Sequence, residues 1–215
     1  MWYKFNTPIY ILNFNRFMYL QSLIESLEIH GYTNIIIVDN GSTLPDLKKY
    51  YNSLKYKIFY CDGINGPYRG WELNYIDTTN YYVVTDSDIQ LNNNCPDNFL
   101  FYFYELLNKY QQVVKIGTAL DISDLPDKCP TKQKVIEWEI KHWGHKLEEH
   151  VYEAPIDTTF ALYRPGASGW GKGIRIGGIY TAKHLPWYED PNNLTYEQEY
   201  YHKVCSRNYS HWCVK

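Results

Sequence analysis

The sequence predicts an α/β fold with a mostly parallel central sheet flanked by helices. Two observations predict it. Over the first 120 residues, short apolar runs of strand length alternate with stretches whose apolar residues recur at helical spacing, and that alternation implies right-handed crossovers between parallel strands. One of those runs, Tyr81-Tyr82-Val83-Val84-Thr85, leads directly into Asp86-Ser87-Asp88, which puts two carboxylates at the sheet edge where open α/β sheets bind ligands.

The elements follow in order. Pro8-Ile9-Tyr10-Ile11-Leu12 reads as a first buried strand. After the turn Asn13-Phe14-Asn15-Arg16, the residues Leu20, Leu23, Ile24 and Leu27 mark one face of a helix that Gly31 stops. Ile35-Ile36-Ile37-Val38 is apolar throughout, as in a parallel strand covered on both faces. Asp39-Asn40-Gly41-Ser42-Thr43 turns the chain into a helix over 45–54, and Ile58-Phe59-Tyr60 forms a third strand. A Gly-rich loop over 61–70 and a short helix near Trp71 precede the acidic strand. Asp97 is placed to cap a helix over 99–110, and a strand is expected over 113–119. The second half is less regular: a helix over 135–143, a strand over 158–163, a mobile loop or lid over 166–178, and a closing helix over 194–205. The whole chain reads as one domain, with 1–120 as its nucleotide-binding half and 121–215 as its acceptor side.

Composition narrows the functional classes. The 215 residues are 45% hydrophobic and 21% charged, the balance of a globular chain large enough for a sizeable core. A formal charge of -3 gives no electrostatic footprint for nucleic acid. No apolar stretch reaches the roughly 18 residues that cross a bilayer, and the start lacks the apolar segment of a signal peptide. The five cysteines are odd in number and contain no Cys-x-x-Cys, which argues against a disulfide framework and for a reducing compartment. The expected location is cytoplasmic. The 23 tyrosines and 7 tryptophans suit either sugar-binding surfaces or the coding bias of an AT-rich genome, and the second reading covers most of them.

Several residues carry possible chemistry. In an extended chain, residues i and i+2 point the same way, so Asp86 and Asp88 are expected to serve one divalent cation. A hard cation held by so few carboxylates shares its shell with ligand phosphates, which suggests a nucleotide or an activated substrate. Asp39 ends the second strand at the same edge, where a carboxylate suits a ribose hydroxyl or base N–H or simply pins the Asn40-Gly41 turn. Arg69, in the Gly-rich loop, offers a planar fork for a diphosphate. That loop lacks the Gly-Lys-Ser/Thr ending of a P-loop.

Taken together, these motifs resemble GT-A glycosyltransferases of the family-two type. The first strand ends in Asn13-Phe14-Asn15-Arg16, the second in Val38-Asp39-Asn40-Gly41-Ser42, and Asp86-Ser87-Asp88 matches the metal-binding Asp-x-Asp downstream. The latter half is similar to uncharacterised family-two-like proteins of bacteria and large DNA viruses, through residues 156–165 and 180–187, so the cytoplasm in question would be the host's if the chain is viral. The resemblance implies a metal-dependent transferase that moves a sugar from a nucleotide diphosphate donor, a UDP-sugar first, to a glycan or other hydroxyl acceptor. It implies that Asp39 binds the nucleoside and that Asn13, Asn15 and Arg16 line the same pocket. It also implies that Asp88 ligates Mn2+ (or Mg2+), with Asp86 on the ribose, the sugar or the metal.

The resemblance further implies that His184 completes the metal's coordination or touches the phosphates, a role an imidazole suits for a borderline metal, with Lys183 as a weaker phosphate contact. Lys183-His184-Leu185-Pro186-Trp187 is also similar to the Lys-Pro-Trp element of family-eight retaining enzymes. An inverting reaction needs a base within reach of the acceptor hydroxyl. Asp157 ranks first for that role and Asp190 second, because the literal Glu189-Asp190 pair follows Trp187 instead of preceding the late His. Two alternatives stand beside the transferase: a non-catalytic nucleotide- or glycan-binding module, and a sugar-phosphate nucleotidyltransferase. The latter needs an Arg/Lys-containing Gly-rich loop where this chain has Asn13-Phe14-Asn15-Arg16.

Overall fold

The computed structural model describes residues 6–63 and 66–205. In chain order the strands are β1 (Ile9–Asn13), β2 (Ile35–Asp39), β3 (Lys57–Tyr60), β4 (Tyr82–Asp86), β5 (Ile89–Leu91), β6 (Lys115–Thr118), β7 (Lys146–Glu148), β8 (Val151–Glu153), β9 (Ala161–Tyr163), β10 (Gly173–Ile176) and β11 (Ala182–His184). The helices are α1 (Met18–Ile29), α2 (Pro45–Ser53), α3 (Arg69–Glu72), α4 (Phe99–Lys109), α5 (Lys132–Glu139) and α6 (Tyr196–Val204). Nine strands form one sheet in the order β3-β2-β1-β4-β9-β6-β10-β8-β7, and β11 pairs with β5 in a separate ribbon. The expected α/β architecture is observed. The sheet is mixed: β9 runs antiparallel to both β4 and β6, and β8 runs antiparallel to β7 and β10.

Strand register creates the functional edge. β1 lies in the centre of a parallel group, with Asn13 opposite Asp39 of β2 and Leu12 opposite Asp86 of β4. Three chemistry-bearing strand ends therefore emerge side by side. Along each strand, alternate side chains go to opposite faces. Ile9, Ile11, Ile35, Ile37 and Val83 join the larger core, where they meet the apolar faces of α1, α2 and α4. Tyr10, Leu12, Val38, Tyr82, Val84 and Tyr163 join the smaller core on the other face. That face is covered chiefly by aromatic packing: Tyr82 and Tyr163 stack at 5.0 Å, and Trp71 lies 5.8 Å from Tyr163.

Gly31 ends α1 in the left-handed region (φ 82°) as expected. α6 is started by Thr195, whose hydroxyl accepts from the Gln198 N–H while the Gln198 side chain accepts from the Thr195 N–H, a reciprocal capping box.

Three expectations are corrected. The N-cap of α4 is Asn98, one residue beyond the expected Asp97, and Asn98 makes no side-chain capping bond. The strand expected over 158–163 shortens to β9, because Thr158 and Thr159 turn towards the functional edge. The mobile loop expected over 166–178 contains β10, fully buried between β6 and β8. Glycines at both ends of 166–178 hid a strand whose Ile174 and Ile176 alternate into the core. Cys61, Cys95 and Cys129 are buried free thiols.

Gly117 sits on β6 opposite Ala161 of β9. A Cβ there would lie 2.5 Å from the Phe160 carbonyl oxygen and 2.7 Å from the Ala161 Cβ, so the sheet centre has no room for a side chain. Gly117→Ala is expected to destabilise the protein by about 1–3 kcal/mol, the usual cost of overpacking, read as a lowered urea midpoint with an unchanged slope.

Candidate active site

At the strand ends lies a cavity of about 210 Å3. Asn13, Arg16, Asp86, Asp88, Asp157 and His184 line it, as do Trp138, Glu139, Thr158, Thr159, Arg175, Tyr201 and His202. Six of the eleven site residues expected from sequence therefore converge on one space.

Asp86 and Asp88 reach the cavity by a route the sequence did not indicate. Asp86 is the last residue of β4, but Ser87 and Asp88 form the turn into β5, so the pair is carried by a turn and not by the pleat of one strand. The Asp86 N–H donates to the Thr158 carbonyl at 2.7 Å, and the Thr158 hydroxyl donates to Asp86 Oδ2 at 2.5 Å. Burial raises the Asp86 pKa well above the ordinary carboxylate value, and the charges of Asp88 and Asp157 push it further in the same direction. The Asp88 Oδ1 atom is buried with no hydrogen-bond partner. A cluster of like charges with an unsatisfied oxygen lacks positive charge.

The β5–β11 ribbon delivers His184. Its register places His184 opposite Ile89, and the Leu185 N–H donates to the Asp88 carbonyl at 2.9 Å. The His184 Nε2 atom lies 3.8 Å from Asp88 Oδ1, too far for a direct bond, and the buried Nδ1 has no partner. Burial holds the imidazole pKa below its ordinary value, against the opposing pull of Asp88, so the ring is neutral at pH 7 and able to ligate. Among the described residues, no three His, Cys, Asp or Glu side chains are grouped closely enough to hold a metal ion. The expected three-residue metal set of Asp86, Asp88 and His184 is therefore not assembled. What is present is a pair of carboxylates beside a neutral imidazole, an arrangement that fits a cation completing its shell with ligand oxygens.

Arg16 closes one side. It is 3% exposed, its Nη1 donates to Glu189 Oε1 at 2.9 Å, and its Nε lies 3.9 Å from Asp88 Oδ2. The guanidinium carbon is 3.5 Å from the centre of the Tyr201 ring, a cation–π contact. Glu189 also accepts from the Tyr19 hydroxyl at 3.0 Å and bonds His202 Nε2 at 2.8 Å. Burial acts to raise the Glu189 pKa, but the His202 bond, the Arg16 charge and the Tyr19 bond outweigh it and the net shift is downward. Sequence reasoning named Glu189 only as the neighbour of Asp190. Its place behind Arg16 depends on the fold bringing residues 173 positions apart into contact.

Asp157 is exposed at the cavity mouth. The segment before it is anchored by buried Lys115, whose Nζ donates to the Ile156 carbonyl at 2.7 Å and to the Gly169 carbonyl at 2.8 Å. Burial pushes the Lys115 ammonium pKa down to about 8.

The other expected residues have different surroundings. Asn13 lines the cavity and donates from Nδ2 to the Tyr51 hydroxyl at 2.8 Å. Asp39 does not line it. Its Oδ1 accepts from Tyr51 Oη at 2.8 Å and its Oδ2 from the Ser42 N–H at 2.9 Å, so the carboxylate pins the turn. Asn15 is fully buried, and its Oδ1 accepts from the Thr43 and Leu44 N–H groups at 2.7 and 2.8 Å. It clamps two site loops together beneath the cavity. Arg69 pairs with Glu72, Lys183 with Asp124, and Asp190 with Lys128, and none of the three lines the cavity. Lys183 follows Ala182 on a strand, so its side chain takes the opposite face from His184.

No family model and no curated protein matches the sequence. Among solved structures, the chain is similar to glucosyl-3-phosphoglycerate synthase from Mycobacterium tuberculosis in complex with phosphoglyceric acid: 15% identity, TM-score 0.44, covering 74% of this chain and 57% of that one. The same enzyme in complex with Mn2+ and UDP-glucose gives 15% identity and a TM-score of 0.43 over the same shares. A UDP-glucose pyrophosphorylase complexed with UDP-glucose gives 13% identity and a TM-score of 0.37, covering 79% of this chain and 76% of that one. The chain spans little more than half the length of the synthase, and superpositions this loose carry no argument about its chemistry.

Two variants test the electrostatics. Because the folded-state pKa of Asp86 is raised, the folded protein holds that proton more tightly than the unfolded chain, and stability falls as pH rises above about 4. Asp86→Asn is expected to remove that penalty and to raise stability in EDTA at pH 7 by on the order of 1 kcal/mol. Scanning calorimetry checks this. Glu189 behaves oppositely: its stabilisation is present above its unfolded pKa and is lost as pH falls through the lower folded value. Glu189→Gln is expected to cost about 3 kcal/mol at pH 7, since it strands buried Arg16, and to flatten the acid limb of a stability-versus-pH curve measured by denaturant titration.

Proposed function

We propose that the protein is a GT-A-type, metal-dependent glycosyltransferase that uses a nucleotide diphosphate sugar, a UDP-sugar first, and a hydroxyl acceptor. One observation carries the reading: Asp86 at the end of β4 and Asp88 in the turn after it face one cavity beside a neutral imidazole, with Asp88 Oδ1 orphaned and only Arg16, already paired with Glu189, near enough to offset their charge. The motif order Asn13-Phe14-Asn15-Arg16, Val38-Asp39-Asn40-Gly41-Ser42, Asp86-Ser87-Asp88 supports the same reading.

Asp88, with Asp86, would hold Mn2+ or Mg2+, and His184 would be placed to join them. The cation, when bound, supplies Lewis acidity that neutralises charge on the departing diphosphate. Arg16, held by Glu189 and Tyr201, adds fixed positive charge near the same phosphates without having to be reoriented. Asp157 takes the proton of the acceptor hydroxyl. The acceptor oxygen bonds to the anomeric carbon, the bond from that carbon to the phosphate oxygen breaks, and its electron pair leaves with the nucleoside diphosphate. Asn13 lines the nucleotide side, while Asn15 and Asp39 fix the loops that shape it.

Titration calorimetry with UDP in the presence and absence of Mn2+ tests this. UDP is expected to bind at least tenfold more tightly with Mn2+, and Asp88→Asn is expected to abolish the difference. Equal UDP binding with and without metal contradicts the assignment of Asp88. Metal-dependent UDP binding with no donor hydrolysis, and no transfer to any hydroxyl acceptor, favours the non-catalytic nucleotide- or glycan-binding module.

A further inference from the structure

We propose that the end of the cavity bounded by Trp138, Asp157, Thr159 and Arg175 is the acceptor subsite, and that it takes an uncharged saccharide whose ring lies on the Trp138 indole. The proposal rests on the glycosyl-transfer reading and names the acceptor class for that site.

Four features of this end of the cavity have no role in holding a diphosphate or its cation. Trp138, near the end of α5, lines the cavity yet is 53% exposed, an indole presented to solvent at the rim of a polar pocket. The next residue, Glu139, is buried and accepts from Arg175 Nη1 at 2.6 Å, while Arg175 Nε donates to the Pro155 carbonyl at 2.7 Å. Arg175 is itself only 4% exposed and lines the cavity, and its Nη2 has no hydrogen bond among the described residues. The hydroxyl of Thr159, 5% exposed, is likewise buried without a partner. The Asp157 carboxylate stands open beside them with no hydrogen bond among the described residues.

An aromatic face next to unpartnered donors and acceptors is what a pyranose needs. Its C–H face covers the ring, and its hydroxyls satisfy the surrounding polar groups. Charge selects the class further. The Arg175 guanidinium is already neutralised by Glu139, and Asp157 adds a negative charge. A phosphorylated or carboxylated acceptor would bring like charge against Asp157, and both arginines that line the cavity are already paired with glutamates; the Lys141 ammonium, 5.5 Å from the centre of the Trp138 ring, is not among the lining residues. A neutral sugar meets no such penalty, and one hydroxyl held by Asp157 is the group whose proton that carboxylate would take.

The test uses the full chain labelled with 15N at its tryptophans, in saturating UDP and Mn2+, titrated separately with cellotriose, maltotriose, tri-N-acetylchitotriose and 3-phosphoglycerate. The Trp138 indole N–H signal is assigned by its loss in Trp138→Phe. At least one neutral trisaccharide is expected to shift that signal. Trp138→Ala is expected to weaken that sugar at least tenfold, Trp138→Phe to retain most of the binding, and exposed Ile140→Ala to change nothing; thermal unfolding verifies that each variant is folded. A shift caused by 3-phosphoglycerate and by none of the sugars, no shift with any trisaccharide, or undiminished sugar binding in Trp138→Ala overturns the proposal. If UDP fails to bind while a trisaccharide still moves the Trp138 signal, the saccharide subsite stands and the transferase reading falls.

Discussion

The arrangement depends on uncompensated negative charge gathered at one edge of the sheet. The parallel register of β1 with β2 and β4 fixes that edge, and the turn into β5 adds Asp88 to Asp86 within it. Each buried arginine at the cavity has its own glutamate: Arg16 has Glu189 and Arg175 has Glu139. Much of their charge is taken up by those glutamates, and only Arg16 also approaches an aspartate, Asp88, at 3.9 Å, so the aspartates stay largely unbalanced. A fold that buries carboxylates next to one another forgoes stability, and under the proposed function a divalent cation held there would return it.

The rest of the site is support. Asn15 ties the β1–α1 turn to the start of α2 through two backbone N–H groups. Asp39 and Tyr51 brace Asn13 from beneath. Glu189 gathers Arg16, Tyr19 and His202 into one network that joins the first helix to the last. Lys115 holds the chain just before Asp157. These buried polar groups mostly find partners, which makes the network rigid; the orphaned atoms concentrate at the cavity, where a ligand can reach them.

Much of this was legible in the sequence, for reasons that can be named. The strands β1, β2 and β4 are continuous apolar runs bounded by Asn, Asp and Gly, and no other element fits such runs beside helices of α1's pattern. Asp86 and Asp88 stood out because strand ends are where ligands bind, and Asp157 stood out as a base candidate just ahead of an expected strand. His184 was placed through resemblance, and the fold explains its position by the β5–β11 ribbon, which three-residue strands do not announce. β10 was missed because glycines on either side of it mimic a loop. Glu189, Glu139, Arg175 and Lys115 were missed as contributors because their significance lies in pairings across 36 to 173 residues, and no local pattern carries that. Asp39 shows the converse: a strand-end carboxylate suggests a ligand, but its two oxygens here serve a turn and a tyrosine.

The central claim concerns where a cation sits, so the most direct measurement locates one. Crystals grown with UDP and Mn2+ and recorded at a wavelength where manganese scatters anomalously should show one peak in bonding contact with Asp86 and Asp88, bridged to the diphosphate, with Arg16 still on Glu189. UDP bound in the cavity with no manganese peak beside those two carboxylates, or a peak elsewhere in the molecule, would contradict the account.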